Sequence, residues 1–319
     1  MGHGAGIMGA GWRERKEALI VAGPTASGKS ALALAIAREF DGTVINADAM
    51  QVYAELRVLS ARPTPAEEAI VPHRLYGEWP ARAHGTVGMW RAAARAAIDQ
   101  AHAAGRLPIL CGGTGMYLKL IVEGLAPVPP IPEDVKRRAR ARHAELGADA
   151  FHAELARRDP VAGAKLAPAD TQRVLRAWEV VEAHGVTLSA FQARAPLAPA
   201  SWPTLLLAPP RATLVAAIET RVDRMIATGA VDEVRGLLAQ NLPDTLPAMR
   251  ALGVPELAAH IRGIVDLPSA INALKVSTRQ FSKRQTTWFR NQMKTAHRLD
   301  AQFSESLLPD IRSFIRDLG

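Results

Sequence analysis

Eight residues, Gly23-Pro24-Thr25-Ala26-Ser27-Gly28-Lys29-Ser30, constrain this chain more than any other stretch. They satisfy G-x-x-x-x-G-K-[ST] and lie between a short apolar run, Ala18–Ala22, and a helical pattern, Ala31–Phe40. A strand that ends in a glycine-rich turn and feeds a helix is the setting of a P-loop. Glycines let the backbone wrap so that successive N–H groups point inward, and the helix behind them presents its positive end. Lys29 adds a full charge, and the Ser30 hydroxyl is a ligand for magnesium. The motif implies a diphosphate-like group held by residues 23–30. It does not name the reaction performed on that group.

The rest of the chain repeats the alternation of strand and helix. Thr43-Val44-Ile45-Asn46 is a second strand candidate and is followed by Asp48. Leu107–Cys111 is a third; it comes after the alanine-rich helical stretch Trp90–Ala104 and ends at Gly112-Gly113-Thr114-Gly115. Thr204–Ala208 is a fourth, after which the pattern reads as helical nearly to the end. Such alternation predicts an α/β fold, a P-loop NTPase-like parallel sheet with helices on both faces. Prolines at 127, 129, 130 and 132, and again at 196, 199 and 203, punctuate a stretch that carries only helical patterns: Glu133–Leu146, Ala148–Arg158 and Thr171–His184. The organisation therefore reads as a core of residues 18–124 and 201–319 with an all-helical subdomain, 125–200, inserted into it. Residues 1–17 read as a flexible N-terminus.

Ligands of parallel sheets sit beyond the carboxyl ends of the strands, which places Asp48 and Thr114 on the same rim as the P-loop. A carboxylate there suits a base facing an acceptor group, although position alone equally allows a helix N-cap or a solvated loop residue. The Gly112–Gly115 turn reads either as part of the crevice or as a flexible turn before a capped helix.

Charge points to an anionic partner: 39 Lys and Arg against 31 Asp and Glu give +8 over 319 residues. Seven of those cations, Lys275, Arg279, Lys283, Arg284, Arg290, Lys294 and Arg298, fall in one stretch that holds no Asp or Glu. Such a stretch suits RNA phosphates. It equally suits a solvated helix whose Phe281, Trp288 and Phe289 pack inward. A second basic run, Lys136-Arg137-Arg138 with Arg140 and Arg142, is diluted by nearby acids. The single cysteine, Cys111, excludes an internal disulfide framework and any multi-cysteine metal site, and reads as a small buried hydrophobe. Apolar runs too short to cross a bilayer and the lack of a secretion-signal pattern predict a cytoplasmic protein with no membrane partner.

Several segments in one order resemble the tRNA dimethylallyltransferases, the tRNA isopentenyl transferases. They are the P-loop, Asp48-Ala49-Met50-Gln51-Val52-Tyr53, Val71-Pro72-His73-Arg74-Leu75, Gly112-Gly113-Thr114, and Asp170-Thr171-Gln172-Arg173 leading into Arg176-Ala177-Trp178-Glu179-Val180. Arg221–Met225 with Gly229 and Glu233-Val234, then Thr278-Arg279-Gln280 through Lys283-Arg284-Gln285-Thr286-Thr287-Trp288-Phe289, complete the series, which runs from about Leu19 to Arg290. The resemblance implies transfer of a dimethylallyl group from its diphosphate to N6 of adenosine 37 beside the tRNA anticodon, with magnesium and release of pyrophosphate. A monomer is the expectation, although the sequence does not fix the oligomeric state.

Residue by residue, the resemblance makes Lys29 and the P-loop amides the holders of the diphosphate, joined by Thr114 and Arg221. Asp48 becomes the base beside N6, with Ala49, Met50, Gln51 and Thr114 near the substrate base. Gln172, Arg173, Val174, Leu175 and Arg176 contact the anticodon arm, and Lys283 and Arg284 fall in the basic stretch that suits RNA. The sequence departs from the family pattern in places. Ala49 stands where the family usually has Ser, Leu59-Ser60-Ala61-Arg62-Pro63 replaces Gly-Thr-Ala-Lys-Pro, Leu252-Gly253-Val254-Pro255-Glu256 replaces Ile-Gly-Tyr-Lys-Glu, and Tyr76-Gly77-Glu78-Trp79-Pro80 replaces an Asp-rich turn.

The chemistry suits these residues. Breaking an allylic C–O bond leaves negative charge on diphosphate, which a fixed array of donors and cations stabilises. Three rivals remain at this point: a P-loop metabolite kinase with residues 125–200 as its lid, an RNA-binding module with a vestigial phosphate loop, and a transferase acting on free AMP or ADP.

Overall fold

Continuous apolar strands must be covered on both faces, and the sheet is built that way. The structure, a computed structural model, describes residues 17–193 and 202–318. Residues 1–16 of the expected flexible stretch 1–17, and Pro196 and Pro199, lie outside the described residues. The chain falls into two compact units, one drawn from Met1–Val122 and Ser201–Gly319 and the other from Glu123–Ala200.

In the first unit, β1 (Leu19–Ala22), β2 (Gly42–Asn46), β3 (His73–Arg74), β4 (Leu107–Gly112), β5 (Thr204–Leu207) and β6 (His297–Leu299) form one sheet of order β3-β2-β4-β1-β5-β6. Every pairing in it is parallel. Every residue of β1, β2 and β4 is buried. Alternate strand residues Leu19, Val21, Val44, Ile109, Leu205 and Leu207 pack in one core with Leu32 and Ile36 of helix α1 (Lys29–Glu39). Helices α2 (Pro65–Glu68), α3 (Val87–Ala103) and α4 (Gly115–Glu123) follow β2, β3 and β4 respectively. Because β1 lies between β4 and β5, the turn after it emerges at the middle of the sheet rim. That is where a crevice forms in such folds.

Two strands were not legible as strands. β3 has two residues behind Pro72, too short to show a period. β6 reads His-Arg-Leu with only Leu299 buried, so the expectation of helix nearly to the end after Ala208 is corrected there. Its register with β5 comes from backbone pairing, Leu205 opposite His297 and Leu207 opposite Leu299, not from an apolar run.

The second unit contains α5 (Glu133–Arg158), α6 (Pro160–Lys165), α7 (Thr171–His184) and α8 (Leu188–Ala193). Gly147 interrupts α5 with φ 74 and ψ 173, where the sequence pattern also breaks. The unit has its own core of Ala139, Phe151, Leu155, Val174, Ala177 and Trp178. Asp159 is fully buried yet satisfied: it accepts from Ala162 N at 3.0 Å, capping α6, and from Ser189 Oγ at 2.7 Å. The short helices α6 and α8 carry too few turns to have been read from periodicity.

The remaining helices belong to the first unit: α9 (Arg211–Ala227), α10 (Ala230–Leu238), α11 (Val254–Ile261), the long α12 (Leu267–Gln292) and α13 (Leu308–Arg316). Asp266 caps α12 by accepting from Ser269 N at 2.8 Å.

Candidate active site

The phosphate loop is closed by steric necessity. A side chain at Gly23 would come within 2.6 Å of Ser27 Oγ and 2.9 Å of the Leu207 carbonyl oxygen. Gly28 has φ +89 and would meet Phe303 Cβ at 2.9 Å. Pro24, Thr25, Ser27 and Lys29 are buried, Ala26 bends the loop with φ 65, and Ser30 is exposed at the start of α1. The loop is gripped from two sides. Thr25 N donates to Gln285 Oε1 at 2.8 Å, while Gln302 Nε2 donates to the Ala26 carbonyl at 3.0 Å and Phe303 N donates to the Ser27 carbonyl at 3.2 Å.

Two features of the loop call for an anion. Ser27 Oγ is buried with no partner among the described residues, a cost that a ligand oxygen would relieve. Burial holds the Lys29 ammonium below the ordinary lysine range, Asp48 and Cys111 pull it back up, and Arg221 pushes it further down. A cation made easier to discharge beside a second cation is a site that gains from binding negative charge.

Asp48 is presented by a side-chain turn at the end of β2. Asp48 N donates to Asn46 Oδ1 at 2.7 Å, and Asn46 Nδ2 donates to the carbonyls of Asp48 and Leu75, each at 3.0 Å. Asn46 is fully buried, and Trp90 Nε1 donates to its carbonyl at 2.8 Å. Met50 N donates to Asp48 Oδ1 at 3.0 Å, and Oδ2 has no hydrogen-bond partner among the described residues. Thr114 is knitted to the same turn, since its Oγ1 accepts from Ala49 N at 2.9 Å and its N–H donates to the Ala47 carbonyl at 3.3 Å. The two turns can touch because Gly112 lacks a side chain, which would lie 2.1 Å from the Ala47 oxygen.

Arg221 reaches the crevice from α9. Burial lowers its pKa and Asp48 raises it, so the two groups share one electrostatic environment. Its guanidinium donates to the Ser60 carbonyl at 3.4 Å. Gln51 is buried, and its amide donates to the carbonyls of Ser60 and Ala61 at 2.9 and 3.1 Å. The loop receiving these bonds is pinned by Glu233 of α10, whose carboxylate accepts from the backbone N–H groups of Arg57, Val58 and Leu59 at 2.7–2.9 Å. Arg62, in the position of the family's lysine, lies over Gly77, where a Cβ would fall 1.4 Å from its guanidinium nitrogen.

The sheet rim thus gathers the P-loop, Asp48, Ala49, Met50, Gln51, Thr114 and Arg221 within the first unit. In the second unit, α7 turns Gln172, Arg173 and Arg176 outward. It buries Val174 completely and packs Leu175 against the core. The expectation that the Val174 side chain contacts RNA is corrected by helical spacing, because Val174, Ala177, Trp178 and Val181 form the inward stripe, while Leu175 is only partly buried.

Three cations of the basic stretch have acidic partners within the protein. Lys275 pairs with Glu219 and Asp223, Arg279 pairs with Glu219, and Arg298 pairs with Asp300. Of the three aromatics only Phe289 is buried; Trp288 and Phe281 are half-exposed. Lys283 and Arg284 remain exposed, and with Thr287, Trp288 and Asn291 they line a groove of about 530 Å³ along α12. Cys111 is buried as expected, its thiol pushed up to about 11 by burial.

A family model described as IPP transferase matches residues 51–292. The chain is 52% identical to a protein of Rhodospirillum centenum named tRNA dimethylallyltransferase, over 88% of this chain and 91% of that one. It belongs to the IPP transferase family. Among solved structures it is similar to a tRNA isopentenylpyrophosphate transferase from Bacillus halodurans, with TM-score 0.69, 30% identity, and 95% and 96% of the two chains covered. The fold also matches a eukaryotic dimethylallyltransferase at TM-score 0.78 and 24% identity, over 94% of this chain and 77% of that one. In this IPP transferase, the P-loop and Asp48 precede the matched stretch, and Gln302 and Phe303 follow it. Their placement on one crevice comes from the fold.

Sequence reasoning missed Asn46, Trp90, Glu233 and Gln285 as the residues that position the others. An Asn two places before an Asp at a strand end is a readable turn signal. The other three act across long sequence separations that no local pattern reports.

Proposed function

We propose that this chain transfers a dimethylallyl group from dimethylallyl diphosphate to N6 of adenosine 37 in the tRNA anticodon arm, releasing pyrophosphate. The observation that carries this reading is the sharing of one rim by an anion cradle and an open carboxylate: Lys29, Ser27 Oγ and Arg221 on one side, Asp48 Oδ2 on the other.

Adenine N6 is a poor nucleophile because its lone pair is delocalised into the ring. Asp48 accepts a hydrogen bond from N6 and takes its proton as the N6–C bond forms, while the allylic C–O bond breaks and its electron pair stays on pyrophosphate. A positioned base of this kind contributes about 10²–10⁴ in rate. Lys29, the loop amides and Arg221 stabilise the charge that develops on the leaving group. Thr114, tied to the Asp48 turn, orients a hydroxyl toward the same space.

Among the described residues, no group of three or more His, Cys, Asp or Glu side chains could hold a metal ion. The donor set fits a magnesium held mainly by ligand oxygens, with the exposed Ser30 hydroxyl as its protein ligand. When bound, such an ion neutralises diphosphate charge. The tRNA is gripped by exposed Gln172, Arg173 and Arg176 of the helical unit and, in the first unit, by Lys283 and Arg284 beside Trp288, an arrangement of cations and an aromatic face suited to unstacked RNA. The described residues hold no helix long and apolar enough to cross a membrane. A cytoplasmic monomer is part of the proposal.

Incubation with labelled dimethylallyl diphosphate and unmodified tRNA, followed by nucleoside analysis, tests the reading. Label in N6-dimethylallyladenosine supports it; an unlabelled nucleoside pool rejects it.

A further inference from the structure

The amide of Gln285 joins the loops that leave two neighbouring strands of the sheet, β1 and β4. Its Oε1 accepts from Thr25 N in the P-loop at 2.8 Å, and its Nε2 donates to the Gly113 carbonyl at 2.8 Å. The orientation of the amide is dictated by its partners, since a backbone N–H only donates and a carbonyl only accepts. Gln285 is 6% exposed, so neither bond is exchanged for water at low cost.

The surroundings are shaped to admit this one group. A Cβ at Gly113 would fall 2.4 Å from Gln285 Nε2, and one at Gly115 would fall 2.4 Å from the Trp288 ring. Two residues one helical turn apart on α12 are thus seated on the two glycines that flank Thr114. The spacing Gly113-Thr114-Gly115 is matched to Gln285 and Trp288.

From this geometry we infer that Gln285 is a positioning residue that fixes the distance between the pyrophosphate cradle and the Thr114–Asp48 turn. The requirement is chemical as well as steric. One side chain must accept on one side and donate on the other across the width of a carboxamide. A glutamate accepts from Thr25 but confronts the Gly113 oxygen with a like charge, and a methionine of similar volume does neither. An asparagine has the amide but is shorter by one methylene. Thr25 N, engaged by Gln285, is then withdrawn from the ligand, so the cradle relies on the later loop amides, Ser27 Oγ and Lys29.

This inference deepens the proposed activity and rests on it, but its test has a binding arm independent of turnover. Inorganic pyrophosphate is titrated by calorimetry into the wild-type protein and into Gln285→Met and Gln285→Glu, alongside tRNA affinity and transfer kinetics. Loss of the clasp is expected to weaken pyrophosphate about ten- to hundredfold, with Gln285→Glu the worse of the two, while tRNA affinity stays within about twofold. The same variants should lower kcat for transfer at saturating substrates, because the reacting groups no longer hold their spacing. Pyrophosphate affinity and kcat equal to wild type in a folded Gln285→Met would overturn the inference, as would a loss confined to tRNA binding. If Gln285→Met does not fold, Gln285→Glu tests the Gly113 side of the clasp, and pyrophosphate affinity and kcat equal to wild type in it would overturn the inference. A wild type that binds pyrophosphate but does not prenylate tRNA would sink the proposed activity and leave the clasp standing.

Discussion

The two units of the molecule differ in how far their polar side chains reach along the sequence. Around the P-loop and the loop that follows Asp48, side chains from far away in sequence hold backbone groups: Gln285 holds Thr25, Glu233 holds Arg57 to Leu59, and Arg221 holds Ser60. In the helical unit the charges mostly answer near neighbours on the same helix, Lys136 with Glu133, Arg138 with Asp134, Arg142 with Glu145, and Arg173 with Asp170 just before α7. Exposed pairs of that kind are worth about 0–1 kcal/mol and are readily traded for a phosphate. Catalysis needs groups fixed before the substrate arrives, whereas recognition of RNA needs groups that can be re-partnered at little cost. The difference teaches which side chains to expect in which kinetic constant.

The sharpest way to break this contrast is at Asp48. Asp48→Ala should lower the transfer rate about 10²–10⁴-fold while tRNA binding, measured by filter retention, is unchanged. Similar turnover in both proteins would remove Asp48 from the chemistry. Lys29→Ala comes next, with an expected rise of about ten- to hundredfold in KM for the prenyl diphosphate from loss of a charge-assisted bond.

Lys29 also carries a pH signature. Because burial lowers its pKa, the unliganded loop loses its charge as pH rises through a value below that of an ordinary lysine. Bound diphosphate favours the charged form and pulls that pKa back up. The KM for diphosphate should therefore climb at lower pH than kcat falls. A KM flat up to the range of an exposed lysine would argue against a buried Lys29.

In the helical unit the effects are smaller. Gln172→Ala combined with Arg173→Ala should weaken tRNA about tenfold, flatten its salt dependence by about one phosphate contact and leave the diphosphate KM alone. A change in the diphosphate constant would blur the division of labour. Val174→Ala, on the same helix but inside the core, should cost about 1–2 kcal/mol of stability in thermal unfolding and leave tRNA affinity at low temperature unaltered. Weakened RNA binding in a folded Val174→Ala would place that side chain back on the RNA surface.

These contrasts also mark what was readable in the sequence. The P-loop, Asp48 and Thr114 stand at the ends of apolar strands, so a local pattern announces both the strand and the residue after it. The break at Gly147 was likewise visible, because a glycine between two helical periods leaves a local trace. β6 was not, since an edge strand of polar residues takes its register from its neighbour and not from an apolar period of its own. The basic stretch was half legible: its charges could be counted, but the pairing of Lys275 and Arg279 with acids of α9 lies some 50–60 residues away in sequence. Gln285 is the clearest case of an illegible role. Nothing local distinguishes it from other polar residues of α12, and only the fold brings Thr25 and Gly113 to its two ends.

The central claim is that the loop at residues 23–30 holds pyrophosphate as it departs from carbon. It is tested most directly by following pyrophosphate and prenylated nucleoside together in a reaction of purified protein, dimethylallyl diphosphate and unmodified tRNA, with ATP as the alternative donor in a parallel reaction. The account predicts one pyrophosphate released per N6-dimethylallyladenosine formed, and no ADP from the ATP reaction. ADP accumulating with a phosphorylated acceptor, and no prenyl group on the RNA, would contradict it.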